Sequence, residues 1–442
     1  MNNSQLLRQG IPAVPFVGFA SPAGAQSLRL QWSLIVLSVL LVPFTAGAQQ
    51  SSINVQCPAT TTLHPSGAGI KCGHLVAGDG MVSMADDAYM NDSGTIGGKE
   101  LYIFSFSKLP GGDPDPGEPQ PDPGTVMDQG MLAANAPAPT ISVDEDDELF
   151  LTLTNVGMAM RPDLFDPHSI HWHGFPQAAS VFDGVPDSSV SINMGASFTY
   201  YYNAKDAGTY MYHCHVEAAE HMQMGMLGNL FVRPRQNKLA PGTVLGTWIH
   251  ATGNTYAYND GDGSTRYDMD YPIQIGSFDP DFHDASFNVQ PLPFAGMHDR
   301  YYLLNGRGYP DTVNPGVLST TDPLGNVQLS QPVSSLITAT VGQRVLLRIS
   351  NLNVTQFNTL GTNGIPMEVV GLDARLLRDG DGNNMYYKTN SLTLGGGQSA
   401  DVILDTAGLT AGSTYFLYTK NLHQLANDAE NFGGMMTEIR IQ

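Results

Sequence analysis

The chain has 442 residues with 20 Lys and Arg against 41 Asp and Glu, a formal charge of -21, together with 48 glycines, 29 prolines and three cysteines. That length is large for one domain and ample for two, each with its own hydrophobic core. So negative a field repels nucleic acid and anionic lipid and concentrates cations, and the basic residues are too sparse for a nucleic-acid partner.

Residues 1–48 carry two arginines, no acidic side chain, the apolar run WSLIVLSVLLVPF and then the small residues TAGA. The run is short for a bilayer span, and the pattern is that of a secretory signal peptide, with an uncleaved membrane anchor as the alternative. The expected product is exported to the periplasm, the cell surface or the medium, with no stable membrane insertion after processing. Residues 49–138 read as an N-terminal extension, rich in Gly, Ser, Asp and Ala up to about residue 98 and then holding a first strand and a Pro/Asp/Gly-rich loop. Cys57 and Cys72 are close enough to form a local disulfide in an oxidising compartment, which leaves Cys214 alone. His64 and His74 read as surface residues. ELYIFSFSKL (100–109) is a strand, and PGGDPDPGEPQPDPG (110–124), without an apolar side chain beyond proline, is an exposed linker or loop.

Residues 139–238 carry the clearest fold signal. TISVDEDDELFLTLTNVG (140–157) and GASFTYYYNAKDAGTYMYHCH (195–215) alternate in the manner of half-buried strands. In residues 239–442 the grammar repeats at RYYLLNG (300–306), QRVLLRISNLN (343–353), SADVILDT (399–406) and STYFLYTKNL (413–422), and RVLLRISNLN echoes ELFLTLTNVG. Short strands with Gly, Pro and Asp loops predict an all-β chain of two tandem β-sandwiches, with VEAAEHMQM as a brief helical turn. NDGDGS (259–264) and RDGDGNN (378–384) gather carboxylates in turns, so calcium is a candidate ligand there; neither has the full twelve-residue loop, which favours plain hairpin turns.

Six of the twelve histidines fall in HSIHWHG (168–174) and HCHVEAAEH (213–221). On extended backbone His171 and His173 share a face, His213 and His215 share a face, and Cys214 points away from the latter pair. Cys214, His168 and His221, with Met226 as a weak axial ligand and Met224 as its competitor, make a two-imidazole, one-thiolate set suited to blue-copper electron transfer. His171, His173, His213 and His215 form a second set suited to copper with open positions. A lone buried cysteine is usually a small hydrophobe, and zinc competes for any Cys/His set. Paired clusters around one thiol and a thioether favour copper. Met158, Met160, Met222 and Met224 read as core packing, with soft-ligand capture of reduced copper as the alternative.

PHSIHWHGF (167–175) and DAGTYMYHCHVEAAEHMQMGMLGNLFV (206–232) resemble the multicopper oxidase family, a likeness that extends over 139–442. YYLLNGRGYPDT (301–312) and NFGGMMTEIRI (431–441) are weaker likenesses to its later domains. The resemblance implies two tandem cupredoxin-like Greek-key β-sandwich domains. It implies type 1 copper at His168, Cys214, His221 and Met226, a type 2 position at His171, and type 3 positions at His173, His213 and His215. It further implies an oxidoreductase that takes electrons from a phenolic or low-valent metal substrate and passes them through Cys214, with His213 and His215, to a site reducing dioxygen. The complete cluster of that family uses eight histidines from two domains, and this first domain offers four. The second has only His250, His283, His298 and His423, dispersed, and none in FNTLGTNGIPMEVVG (357–371), where copper-binding relatives often carry them. A homo-oligomer, with a trimer favoured, is therefore expected to matter for the second site. The alternatives are a nitrite reductase-like enzyme with an inter-subunit type 2 copper, and a blue-copper electron carrier or assembly protein. Asp183, Asp187 and Glu217 are the carboxylates considered for proton delivery.

Overall fold

The computed structural model describes residues 53–85, 98–428 and 430–442, so the signal segment expected at 1–48 lies outside the described residues. The first sandwich opens with β1 (Ile70–Ser83) and β2 (Glu100–Lys108), followed by a short helix α1 (Pro123–Gly130) and strands β3 (Ala138–Asp144) and β4 (Glu148–Gly157). It continues with β5 (His171–His173), β6 (Ser197–Asn203), β7 (Gly208–His213), a helix α2 (Ala218–Gln223) and β8 (Leu227–Arg233). One sheet runs β2-β1-β4-β6 and the facing one β3-β8-β7-β5. The β1–β4 and β3–β8 pairs are parallel, which demands crossovers between the two sheets, and the remaining pairs are antiparallel. Inward residues of both sheets, among them Leu75, Phe104, Leu151, Trp172, Tyr200, Tyr202 and Tyr212, close one core around Cys214.

Residues 70–108 are thus part of the first sandwich rather than an extension before it. The strand β1 escapes sequence patterning because IKCGHLVAGDGMVS is broken by three glycines and buried on both faces. Gly78 stands at a register shift, and a Cβ there would meet Val156 Cγ2 at 2.9 Å and the Gly130 carbonyl oxygen at 3.3 Å, so close packing excludes a side chain. His74, expected on the surface, is 4% exposed, and its Nε2 is 2.9 Å from Thr154 Oγ1. Cys57 and Cys72 form the expected disulfide. The Pro-rich segment is exposed but tied down, for Gly117 N–H donates to the Cys57 carbonyl at 2.9 Å and Val55 N–H to Gln120 Oε1 at 2.6 Å. Its last residues begin α1, which Asp122 caps through Thr125 N–H.

The second sandwich repeats the plan. Its long strand Met269–Phe278 pairs in parallel with Arg344–Asn351, just as β1 pairs with β4, which gives the echo between the two sequences a structural meaning. A second sheet orders Ile337–Ala339, Met436–Ile441, Thr414–Thr419, Asn358–Thr362 and Ser391–Leu394. Ile273, Leu347, Val369, Val402 and Leu417 lie at the centre of its core. The carboxylates of Asp260 and Asp379 accept backbone N–H groups of their own loops, as Asx-type turns do. No helix among the described residues is long and apolar enough to cross a membrane.

The sandwiches are joined at β7. Thr209 Oγ1 donates to Asp401 Oδ1 at 2.6 Å, Tyr258 Oη donates to Asp401 Oδ2 at 2.6 Å, and Arg348 lies 3.7 Å from the same carboxylate. Arg348 and Asp401 are buried, and Arg348 Nε also donates to Asp270 at 2.8 Å. A paired, hydrogen-bonded charge of the second sandwich therefore binds Thr209, four residues before His213 on the strand that carries it.

Candidate metal centre

The loop after β7 folds back on itself around Cys214. Cys214 N–H donates to the Met226 carbonyl at 3.2 Å, and Met226 N–H donates to the His221 carbonyl at 2.8 Å, so residues 214, 221 and 226 are drawn together by backbone. The single helical turn α2, entered through Glu217 at φ 45°, presents His221 inward. His168 is fixed from the other side by a two-bond bridge to Ile192. The result places His221 Nδ1 3.1 Å and His168 Nδ1 3.9 Å from Cys214 Sγ. Ser169 N–H donates to the sulfur at 3.5 Å.

All three side chains are fully buried, as are Met224 and Met226. Burial pushes the Cys214 thiol up to about 12 and holds His221 down at about 4, and His168 is lowered well below the usual histidine range by burial and by its neighbour His221. A thiol that burial keeps protonated, facing two neutral imidazoles through their Nδ1 atoms, lacks only the positive charge that would make it a thiolate. The donor chemistry of one sulfur and two nitrogens fits copper, with a thioether from Met226 as the proposed axial group. Among the described residues His168, Cys214 and His221 form one of the two groups whose donor atoms all lie within 4.8 Å of one another.

The second group is His171, His173 and His213. Antiparallel pairing of β5 with β7 sets His171 opposite His213 and His173 opposite Met211, and the two-residue period turns both β5 imidazoles to one face. His171 Nδ1–H donates to the Asp183 carbonyl at 2.7 Å, and His213 Nδ1–H donates to the Cys214 carbonyl at 2.8 Å. Each bond fixes the tautomer and leaves Nε2 as the free donor. His173 Nδ1 is 3.4 Å from His213 Nε2. His215 lies beside the group, its ring 5.1 Å from that of His171 and 5.6 Å from that of His213. Burial lowers His171 and His173 and brings His213 down to about 3, so these imidazoles are neutral and available at neutral pH.

The histidines line a cavity of about 600 Å³ whose far wall is the second sandwich, through Leu352, Asn353, Thr355, Phe357 and Gly397. None of the later histidines reaches it. His250 is bound to Tyr256 Oη, His283 is held between the carbonyls of Tyr102 and Gln223, His423 packs on Tyr302, and His298 is exposed. Of the three carboxylates considered for proton delivery, Asp183 touches the cluster, with Oδ1 3.6 Å from His171 Nδ1, whereas Asp187 and Glu217 are exposed. Sequence patterning missed Ser169, whose N–H meets the sulfur and whose Oγ accepts from His215 N–H at 3.2 Å, because its role is carried by backbone position inside HSIHWHG.

Sequence models of the multicopper oxidase family match residues 119–237 and 288–436. A multicopper oxidase named MCE from Talaromyces pinophilus is 33% identical over 124 residues, 28% of this chain and 19% of that one. Laccase-1 of Emericella nidulans is 32% identical over 127 residues, again 28% of this chain and 19% of the relative. The matched stretch thus spans about a fifth of the length of these curated relatives. Among solved structures, the blue copper oxidase from Nitrosomonas europaea superposes with a TM-score of 0.55 at 21% identity, covering 84% of this chain and 86% of that one, which shows a shared fold. One match falls on each sandwich, and the first contains every residue of both donor groups, so the chain belongs to the multicopper oxidase family.

Proposed function

We propose that this protein is an exported copper oxidoreductase that accepts single electrons from a small reducing substrate, a phenol or a low-valent metal ion, and delivers them to dioxygen. The observation that carries the reading is covalent. Cys214, in the sulfur-containing group, is joined through the peptide backbone to His213 of the second group, and its other chain neighbour His215 lies beside that group. When bound, copper supplies one-electron redox chemistry at the first group and a Lewis-acidic, oxygen-binding centre at the second.

The chain's own residues do the rest. Ser169 N–H steadies the sulfur, and burial of His168, Cys214 and His221 keeps water from the first group. The Asp183 and Cys214 carbonyls hold His171 and His213 with Nε2 outward. The Asp183 carboxylate stands 3.6 Å from His171 Nδ1, in reach of the cluster. The acidic surface concentrates metal cations, which favours a metal-ion donor without requiring one. The disulfide supports export to an oxidising compartment.

Oxygen uptake by the copper-loaded protein, with a phenol and with Fe(II) as donors, tests the proposal. Uptake that disappears in Cys214→Ser supports it, and no uptake with either donor sinks it.

A further inference from the structure

The second histidine group faces the second sandwich across the cavity, so its missing donors must come from that wall if one chain is to hold a multinuclear cluster. The residues of that wall that line the cavity, 352–357 with Gly396 and Gly397, include no histidine, cysteine or carboxylate. The wall includes Gly397, with φ 87°, where an added Cβ would lie 2.6 Å from His173 Nε2. Backbone therefore occupies the space in which a ligand side chain would have to stand. The polar groups of Asn353 and Thr355 are already bonded within the protein. Asn353 Oδ1 accepts from the N–H groups of Thr355 and Gln356 and from Thr355 Oγ1, and Asn353 Nδ2 donates to Ser277 Oγ. The single Thr355 hydroxyl proton is shared between Asn353 Oδ1 and Asp299, whose carboxylate is further bound by Ser277 Oγ and Gln223 Nε2.

The near side is equally restrictive. Nitrogen ligands about 2 Å from one ion stand no more than about 4 Å apart. The donor atoms of His171, His173 and His213 lie within 4.8 Å of one another, close to that limit, and His215 falls outside the group.

We propose that each chain holds two coppers and not four, the second being a single ion on His171, His173 and His213 with its remaining positions open to the cavity. His215 is then a bystander. The inference rests on the oxidase reading for its chemical consequence. Two one-electron centres would supply two electrons per dioxygen, the stoichiometry of O2 + 2 H+ + 2 e− giving H2O2, with the electrons from two molecules of a one-electron donor and the protons from solvent.

The experiment is copper analysis with paramagnetic resonance on copper(II)-loaded full chain, as the wild type and as Cys214→Ser, His173→Ala and His215→Ala. The expected counts per chain are two, one, one and two. Retention of the blue absorption in His173→Ala shows that a lost ion does not reflect a lost fold. Three further coppers in Cys214→Ser, donated to by a neighbouring copy in an oligomer, overturn the proposal, as does loss of the second copper in His215→Ala. A ratio of two donor molecules per dioxygen with accumulating peroxide is expected, and a ratio of four with no peroxide contradicts it. One copper in Cys214→Ser without oxygen uptake in the wild type defeats the oxidase reading and leaves the count intact.

Discussion

Cys214 Sγ lies 3.1 Å from His221 Nδ1, and this contact is set by a backbone loop in which Cys214 N–H and the His221 carbonyl are both bound to Met226. Cys214, His221 and Met226 are therefore drawn together by a closed turn, while His168 is held from the other side by Ile192. Met226→Ala leaves those backbone bonds in place while deleting the thioether. The expected outcome is a protein that keeps its second copper and its blue colour but shifts in absorption maximum and reduction potential. Visible spectra and redox titration against the wild type and Met224→Ala check it, and an unshifted Met226→Ala beside a shifted Met224→Ala assigns the axial place to Met224.

Gly397→Ala meets two obstacles at once, a φ of 87° and an approach of 2.6 Å to His173 Nε2. A destabilisation of about 1–3 kcal/mol is expected from backbone strain and overpacking. The clash falls on a ligand of the second group, so copper content at that group drops while the blue centre survives. Denaturant unfolding and metal analysis read the two effects separately.

Replacing Asp401 by Asn leaves Arg348 buried with its nearest buried counter-charge removed. Breaking a buried pair from one side costs about 3–5 kcal/mol. Asp270 still accepts from Arg348 Nε, which places the expected loss at the lower end of that range. Urea unfolding checks it, and Arg348→Met with Asp401→Leu together is expected to recover part of the loss.

Burial holds His74 down at about 4, with Asp113 opposing. The unfolded chain therefore takes up this proton first as pH falls. Stability from this group is complete above about 6.5 and is lost as pH falls towards about 4, by up to roughly 3 kcal/mol. His74→Gln keeps a partner for Thr154 and cannot titrate, so its unfolding free energy is expected to vary less between pH 7 and pH 4 than that of the wild type. Equal pH profiles for the two proteins contradict the assignment.

The donor residues were legible because strand geometry is local. In HWH a period of two residues turns both imidazoles to one face, and the structure pairs His171 with His213 across β5 and β7, whereas β7 ends at His213 and the strand period does not extend to His215. The repeat between 343–353 and the strand β4 was legible for the same reason. The strand β1 was not, since its glycines erase the alternation and burial on both faces removes the polar half of the pattern. His74 could not be placed without β1, and it turned out to be buried. The far wall of the cavity was illegible for another reason. That residues 353–357 and Gly397 come to face His173 follows from how one sandwich docks on the other, through Thr209, Arg348 and Asp401, and no local pattern encodes it.

Electron passage from the sulfur group to the histidine group is the central claim, and stopped-flow absorption at the blue band tests it most directly. Wild type and His173→Ala are each reduced without oxygen until the blue colour is bleached, then mixed with dioxygen. The wild type is expected to recolour rapidly, whereas His173→Ala, blue when first oxidised, is expected to stay bleached at least a hundredfold longer. Equal recolouring rates would contradict the account, because electrons would then be leaving Cys214 without the second group.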